Sequence, residues 1–195
     1  IPLRFPYYFY DYQIKANLDI DQDHRLTFTR FYGDDVLDFS YEDPSETVRN
    51  ENVTIQQDSK FGLDWPWGNQ TNGLTWRWIV SPKMITKTFL SNSRYRFDFD
   101  LFFQNRDLYT YSDSTAINFI NFNWNIYDII KDRTLETEVQ YKYSNDHEIT
   151  GGFQIKKIRF DLGIQYDLET QDTSFTWNPL SLKDTTQEIS FYLQD

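Results

Sequence analysis

The side chains best suited to chemistry in this sequence are its carboxylates, and Glu136 and Glu138 form the most suggestive pair. On a β-strand these two residues share a face and lie about 7 Å apart, from a rise of ~3.4 Å per residue. Two acids at such a separation can hydrolyse glycosides. Gln140 and Lys142 continue the same polar face, however, which indicates solvated acids. The sequence therefore predicts no catalytic residue and no enzyme.

Metal chemistry has little support in the residue types. The chain has no cysteine, and its two histidines, His24 and His147, both fall in short polar segments far apart in the sequence. The acidic run from Gly33 to Asp43 contains oxygen ligands that suit calcium, but not in the spacing of a calcium-binding loop. We expect neither a metal site nor another cofactor.

The composition combines many aromatic residues with a polar average. Phe, Tyr and Trp make up 19% of the 195 residues, whereas the mean hydropathy is negative. A net charge of −11 argues against a nucleic-acid partner, which requires a basic surface. No run of about 18 apolar residues is present, so no transmembrane helix is predicted. The mixture is typical of strands with one face in lipid and the other in water.

Three short polar turns divide the sequence at near-regular intervals. They are residues 21–24, 81–84 and 144–147, and they start 60 and then 63 residues apart. Each joins two segments in which apolar and polar residues alternate, as in the segment Tyr10–Ile20, and a period of two predicts β-strands. Between them we expect long polar loops at about residues 34–60, 104–125 and 169–187.

Short turns at one end and long loops at the other are typical of a bacterial transmembrane β-barrel. We therefore predict an all-β fold, an antiparallel up-and-down transmembrane β-barrel, here an open curved sheet of about six to eight long strands from a larger barrel. Residues 1–195 would form one partial barrel domain. The chain begins without Met and its final residues, 189–193, resemble a strand, so we expect a piece of a longer protein.

The alternation assigns residues to two faces of the predicted strands. A change of phase at Lys156–Lys157 predicts a β-bulge there. The candidates for contact with lipid are Ile14, Leu18, Trp76, Trp78, Tyr95, Phe97, Val139 and Tyr141. The candidates for the aqueous lumen are Gln13, Lys15, Asn17, Arg94, Arg96, Glu136, Glu138 and Lys142.

Several segments resemble the barrel region of TonB-dependent outer-membrane receptors, especially the large receptors of Bacteroidota-type bacteria. The likeness extends from about Tyr7 to Tyr166 and is a pattern of strands and turns rather than a catalytic signature. It includes a "WGN-T" segment that leads into a strand with a central tryptophan, and an "H-x-x-x-GG" start of a strand. The segments concerned are residues 9–18, 23–35, 67–78 and 145–152.

The resemblance implies a location in the outer membrane of a Gram-negative bacterium and the import of a scarce nutrient, such as an iron chelate, a vitamin or a glycan. The partners would be the outer-membrane lipid, the small-molecule or glycan substrate, and the TonB complex through a plug domain. Nothing in residues 1–195 resembles that plug or a TonB box. Two alternatives stay open: a small free-standing outer-membrane barrel acting as a pore or adhesin, and a soluble carbohydrate-binding β-sandwich.

Overall fold

The computed structural model describes residues 6–43 and 45–195, and almost all of them form strands. Within these residues no helix is long and apolar enough to cross a membrane. The expected domain, residues 1–195, also includes residues 1–5 and Pro44, which lie outside the described residues. The strands are β1 (Tyr7–Asp19), β2 (His24–Glu42), β3 (Glu46–Arg49), β4 (Thr54–Ser81), β5 (Met84–Thr110), β6 (Thr115–Lys142), β7 (Glu148–Thr170) and β8 (Ser174–Gln194).

The strands form one antiparallel sheet in which neighbours in sequence are neighbours in space. The order is β1-β2-β4-β5-β6-β7-β8, and the four-residue β3 pairs with the far end of β4. The sheet is open and curved, as predicted, and the strand number falls within the expected six to eight. β4, β5 and β6 have 27 or 28 residues each, far longer than the five or six that are usual in soluble sheets.

The three predicted turns are confirmed, but the three predicted long loops are wrong. The strands continue through most of residues 34–60, 104–125 and 169–187, and the chain reverses at short turns such as residues 111–114 and 171–173. We attributed these segments to loops because they are polar. Polar residues on a strand whose surfaces meet water do not break the backbone ladder, because the neighbouring strand supplies the hydrogen bonds.

The predicted bulge at Lys156–Lys157 is also wrong. Pairing of β7 with β6 and with β8 continues there without a shift, and the register changes of the sheet lie between Ile79 and Ser81 and between Ile164 and Tyr166. The alternation of side chains therefore stays in phase along β7. What changes at Lys156–Lys157 is the face that carries the apolar residues.

The first turn is organised by the carboxylate of Asp21. Its Oδ1 accepts hydrogen bonds from the backbone N–H groups of Asp23, at 2.9 Å, and His24, at 2.8 Å. The N–H of Asp23, and then that of His24, hold the pKa of Asp21 below its ordinary value by stabilising the charged form. This local bond pattern is an Asx-type turn, and it explains why the chain reverses at this point.

The lowered pKa predicts a stability effect at acidic pH. The unfolded carboxyl titrates near pH 3.9, so the stabilisation is fully present above that pH and is lost as pH falls through the lowered folded pKa. We expect an NMR titration to give Asp21 a pKa below the ordinary value. We also expect the stability difference between wild type and Asp21→Asn to shrink below about pH 3.9. A titration at or above the ordinary value would contradict this account of the turn.

The sheet has no hydrophobic core of its own. Among the described residues no hydrophobic side chain is buried, and many large apolar side chains are exposed. These residues form one sheet rather than two packed sheets, so the β-sandwich alternative is not the observed architecture. A single sheet with unburied apolar surface needs another apolar phase or partner to cover it.

Candidate functional site

The pairing of the strands divides the side chains between two surfaces, because directly opposed residues on antiparallel strands point to the same side. We call the surface that contains Leu26, Leu74 and Leu135 face A, and the surface that contains Thr27, Thr75 and Glu136 face B. Six lipid-facing candidates lie together on face A: Ile14, Leu18, Trp76, Trp78, Val139 and Tyr141. Six lumen-facing candidates lie together on face B: Gln13, Lys15, Asn17, Glu136, Glu138 and Lys142.

The end of face A nearest to the three turns is a predominantly apolar surface, interrupted by Thr86, Thr88 and Thr137, which we call the apolar zone. It crosses every strand except β3. Its large side chains are substantially exposed, for example Trp76 at 40%, Leu90 at 49% and Phe191 at 77%. Exposed apolar surface of this extent marks a site of interaction. The zone comprises the face A residues of segments 14–18, 26–28, 74–78, 84–90, 135–141, 149–155 and 189–193.

Face B opposite the apolar zone is polar and its side chains are paired with one another. Lys87 Nζ lies 3.3 Å from Glu138 Oε1. Gln154 Nε2 donates to Glu136 Oε2 at 2.9 Å, so each member of the carboxylate pair singled out in the sequence has its own partner. Hydrogen bonds from Tyr192, Lys87 and Gln140 surround Glu138. These contacts describe a polar surface on which both carboxylates are held by hydrogen bonds from neighbouring side chains.

Aromatic rings lie at the turn end of the apolar zone. His24 packs beside the two stacked indoles of β4, with ring centroids 5.7 Å from Trp76 and 5.4 Å from Trp78. Trp76 Nε1 donates to His24 Nδ1 at 3.2 Å. A ring with an apolar body and a polar edge suits the boundary between lipid and water.

The remaining four candidates, all on β5, lie on the faces opposite to those predicted for them. Arg94 and Arg96 lie on face A with the apolar zone, and Tyr95 and Phe97 lie on face B. The predicted groups follow hydropathy and require one face of β5 to stay apolar along the whole strand. The structure keeps the register but inverts the hydropathy beyond about residues 92, 133 and 157, so these four residues do not join the groups predicted for them.

Beyond the inversion, face B carries a row of aromatic rings across β5 to β8. Phe99 meets Trp124 edge to face with centroids 5.2 Å apart, Trp124 stacks on Tyr166 at 5.7 Å, and Tyr166 stacks on Trp177 at 5.5 Å. Aromatic cross-strand pairs stabilise a sheet by about 0.2–1 kcal/mol each. This row holds the far half of the sheet together where face A is polar.

Asp34 is the residue whose role the sequence did not reveal. It is only 7% exposed, and its Oδ2 accepts hydrogen bonds from the hydroxyls of Tyr32, at 2.5 Å, and Tyr10, at 3.1 Å. Arg96 lies 3.5 Å from its Oδ1, and Gly68 leaves space beside it. The sequence places Asp34 in an acidic run without the spacing of a calcium-binding loop and at the start of a predicted loop. Its oxygens contact tyrosines and an arginine, and within the described residues no cluster of three or more acidic or histidine side chains is arranged to hold a metal ion.

Comparison with known proteins gives only weak similarities. No protein-family model matches the chain, and no curated protein matches it. Among solved structures, the ferric-catecholate import receptor Fiu from E. coli K12 aligns over 94% of this chain and 49% of its own, with 6% identity and a TM-score of 0.27. The ferric yersiniabactin uptake receptor FyuA from Yersinia pestis aligns over 96% and 42%, with 5% identity and a TM-score of 0.23.

The ferric preacinetobactin receptor BauA from Acinetobacter baumannii is a third example, with 8% identity and a TM-score of 0.18 over 95% of this chain and 44% of its own. The chain therefore spans less than half the length of each of these receptors. TM-scores this far below 0.5 do not establish a shared fold.

Proposed function

We propose that this chain is part of a transmembrane β-barrel in the outer membrane of a Gram-negative bacterium, with the apolar zone of face A in contact with lipid. The observation that supports this most directly is the exposed apolar zone, which crosses seven strands while the opposite surface is polar and hydrogen-bonded. One apolar and one polar face on an up-and-down antiparallel sheet is the arrangement that a barrel wall requires.

The apolar zone covers most of the height of a barrel's apolar band. On β5, β6 and β7 the zone is seven residues long, from Met84 to Leu90 for example, and ~3.4 Å per residue gives roughly 24 Å along the strand. At a tilt of ~40° this is about 18 Å along the membrane normal, and the apolar band of an outer-membrane barrel is about 25 Å tall. The polar, longer part of each strand then projects beyond the bilayer, and the three short turns lie on the periplasmic side.

The proposal keeps twelve of the sixteen candidates in their predicted roles and revises four. Ile14 and Val139 exemplify the side chains in lipid, and Lys15 and Glu138 those in the hydrated lumen. Arg94 and Arg96 would lie on the outer surface of the wall beyond the acyl chains of the lipid, and Tyr95 and Phe97 would face inward at that level. The inversion of hydropathy then has a simple cause, because the outer face passes from lipid into water at that height.

We infer further that the barrel belongs to a receptor of the TonB-dependent class that imports an iron chelate, a vitamin or a glycan. The support is the order of the motifs. The strand with the central tryptophan (β4) precedes a short turn, and the strand that begins beside His147 (β7) follows one, as in that class. Residues 1–195 would be one part of the barrel domain. The plug that contacts the TonB complex would come from another part of the protein.

A growth experiment with the full-length gene tests the import function. Deletion of the gene should abolish growth when a single ferric chelate, vitamin or glycan is limiting, and leave growth on rich medium unchanged. The full-length gene should restore growth, whereas a copy without the energy-coupling segment should not. Unchanged growth on every limiting nutrient, together with ion conductance of the purified protein in planar bilayers, would instead identify a free-standing pore.

A further inference from the structure

Five exposed cations lie side by side on face A, immediately beyond the apolar zone. We call them the basic patch; they are Arg94, Lys131, Arg133, Lys157 and Arg159. They occupy two adjacent rows on β5, β6 and β7, and no acidic side chain of face A lies in these rows on any strand. This concentration is unexpected in a chain with 30 acidic and 19 basic residues.

The positively charged residues of the patch lie directly opposite one another on neighbouring strands. Lys131 lies directly opposite both Arg94 and Arg159, and Arg133 lies directly opposite Lys157. Like charges in directly opposed positions destabilise a sheet. Within the part of the chain that the structure describes, none of the five has a carboxylate at ion-pair distance, although eight such pairs occur elsewhere. The sheet therefore accumulates positive charge without forming ion pairs to these five residues.

The surroundings of the patch are suited to an oxyanion ligand. The amides of Gln70, Asn72 and Asn92 lie beside Arg94 and Arg133 around one shallow concavity. Guanidinium and amide N–H groups together form the donor set that phosphate oxygens accept from. On the turn side the next row of face A is wholly apolar on β4 to β7, with Leu74, Leu90, Leu135 and Ile155.

The height of the patch identifies the source of that anion. Arg133 lies eight positions before Tyr141 on β6, which is about 27 Å along the strand and roughly 21 Å along the membrane normal at a tilt of ~40°. This is close to the ~25 Å height of the apolar band of an outer-membrane barrel, above which lipid head groups begin. Resting on the proposed lipid contact of face A, we propose that the basic patch binds the phosphorylated head group of an outer-leaflet glycolipid.

One lipid molecule would contact the protein in two ways, through its acyl chains and through its phosphates. The acyl chains of the lipid cover Leu90, Leu135 and Ile155, and the phosphates neutralise Lys131, Arg133 and their neighbours. Each Lys or Arg near an anionic lipid surface strengthens association about fivefold. A bound lipid would thus remove the repulsion within the patch and hold the protein at a fixed depth in the membrane.

Native mass spectrometry of the full-length protein in detergent micelles, titrated with bisphosphorylated lipid A, tests the proposal. We expect retention of lipid A and little retention of the same lipid after enzymatic removal of its phosphates. The triple variant Lys131→Gln/Arg133→Gln/Lys157→Gln should bind lipid A roughly a hundredfold more weakly, from about fivefold per charge. Its resistance to urea should be unchanged or higher, because like-charge pairs are removed; a drop in stability would indicate that these residues serve the fold instead.

A pair of adjacent residues supplies the matched control. Lys157→Gln on face A should weaken lipid A binding about fivefold, whereas Lys156→Gln on face B should leave it unchanged. Equal effects of the two variants, equal retention of dephosphorylated lipid, or full displacement of lipid A by equimolar tripolyphosphate would overturn the proposal. Flotation with phosphatidylcholine vesicles distinguishes failure of the proposed membrane contact from failure of the proposed lipid A site. If wild type does not float, the membrane assignment is wrong. If it floats but does not bind lipid A selectively, only the assignment of the basic patch is wrong.

Discussion

Val139→Arg should lower the free energy of unfolding of the full-length protein in lipid vesicles by about 1–3 kcal/mol, because the penalty for a lipid-facing arginine rises from roughly 0–1 kcal/mol near the interface to 2–4 kcal/mol at the midplane and Val139 lies between the two. Val139 lies in the apolar zone between Thr86 on β5 and Gly151 on β7. In the folded state its side chain would face acyl chains, which cannot solvate a guanidinium. Urea-induced unfolding, monitored by the mobility shift of the heat-modifiable barrel on a gel, measures the effect.

The control for this prediction is the next residue along the same strand. Gln140 lies on face B, where its Nε2 donates to Glu138 Oε1 at 2.9 Å, so Gln140→Arg should change the stability by less than about 0.5 kcal/mol. Equal costs at positions 139 and 140 would contradict the assignment of face A to lipid. A buried core cannot imitate the predicted contrast, because the described residues contain no buried hydrophobic side chain.

Gly68→Ala should be the most damaging of the small substitutions in the middle of the sheet. A Cβ atom at position 68 would overlap Oδ1 of Asp34 and come within 2.5 Å of the backbone oxygen of Gly33. The backbone cannot retreat without breaking the β2–β4 ladder, so the carboxylate must leave Tyr10, Tyr32 and Arg96. Overpacking costs about 1–3 kcal/mol, and the loss of hydrogen bonds to a buried charge adds roughly 1–3 kcal/mol.

Gly151→Ala is the matched control for that substitution. A Cβ atom at Gly151 would meet only the flexible Cδ1 of Leu193, at 3.2 Å, and more distant backbone. We expect Gly151→Ala to change the free energy of unfolding by less than about 1 kcal/mol, in either direction. If Gly68→Ala and Gly151→Ala were equally tolerated in urea unfolding, the close packing around Asp34 would not exist in solution.

The local features of the fold follow from the order of residues alone. The alternation in residues 10–20 determines that β1 is a strand and which of its side chains share a face. The short polar segments at residues 21–24, 81–84 and 144–147 determine where the chain reverses. The hydrogen bonds that the backbone of each turn donates to Asp21, Ser81 and Ser144 act over only a few residues. These interactions are local, so the sequence predicted the three hairpins, the antiparallel up-and-down order and the approximate number of strands.

The failures of sequence reasoning occurred where hydropathy was taken as a measure of local structure. Polar segments such as residues 104–125 were assigned to loops, although a strand can be polar on both faces when neighbouring strands satisfy its backbone. Tyr95 and Phe97 were grouped with Val139 because all are apolar. Hydropathy reports the medium next to a side chain, and that medium changes along a strand of 27 residues.

The sequence by itself determined that this chain forms long antiparallel strands, reverses at three Asx- or Pro-containing turns, and has two chemically different faces. Only the tertiary structure decided which residues meet across strands: it placed Asp34 beside Tyr10, Arg96 and Gly68, and it brought five cations from three strands into one patch. The physical reason is range. Turns and alternation depend on neighbours a few residues apart, whereas these contacts join residues 24 to 65 positions apart through a register that the whole ladder sets.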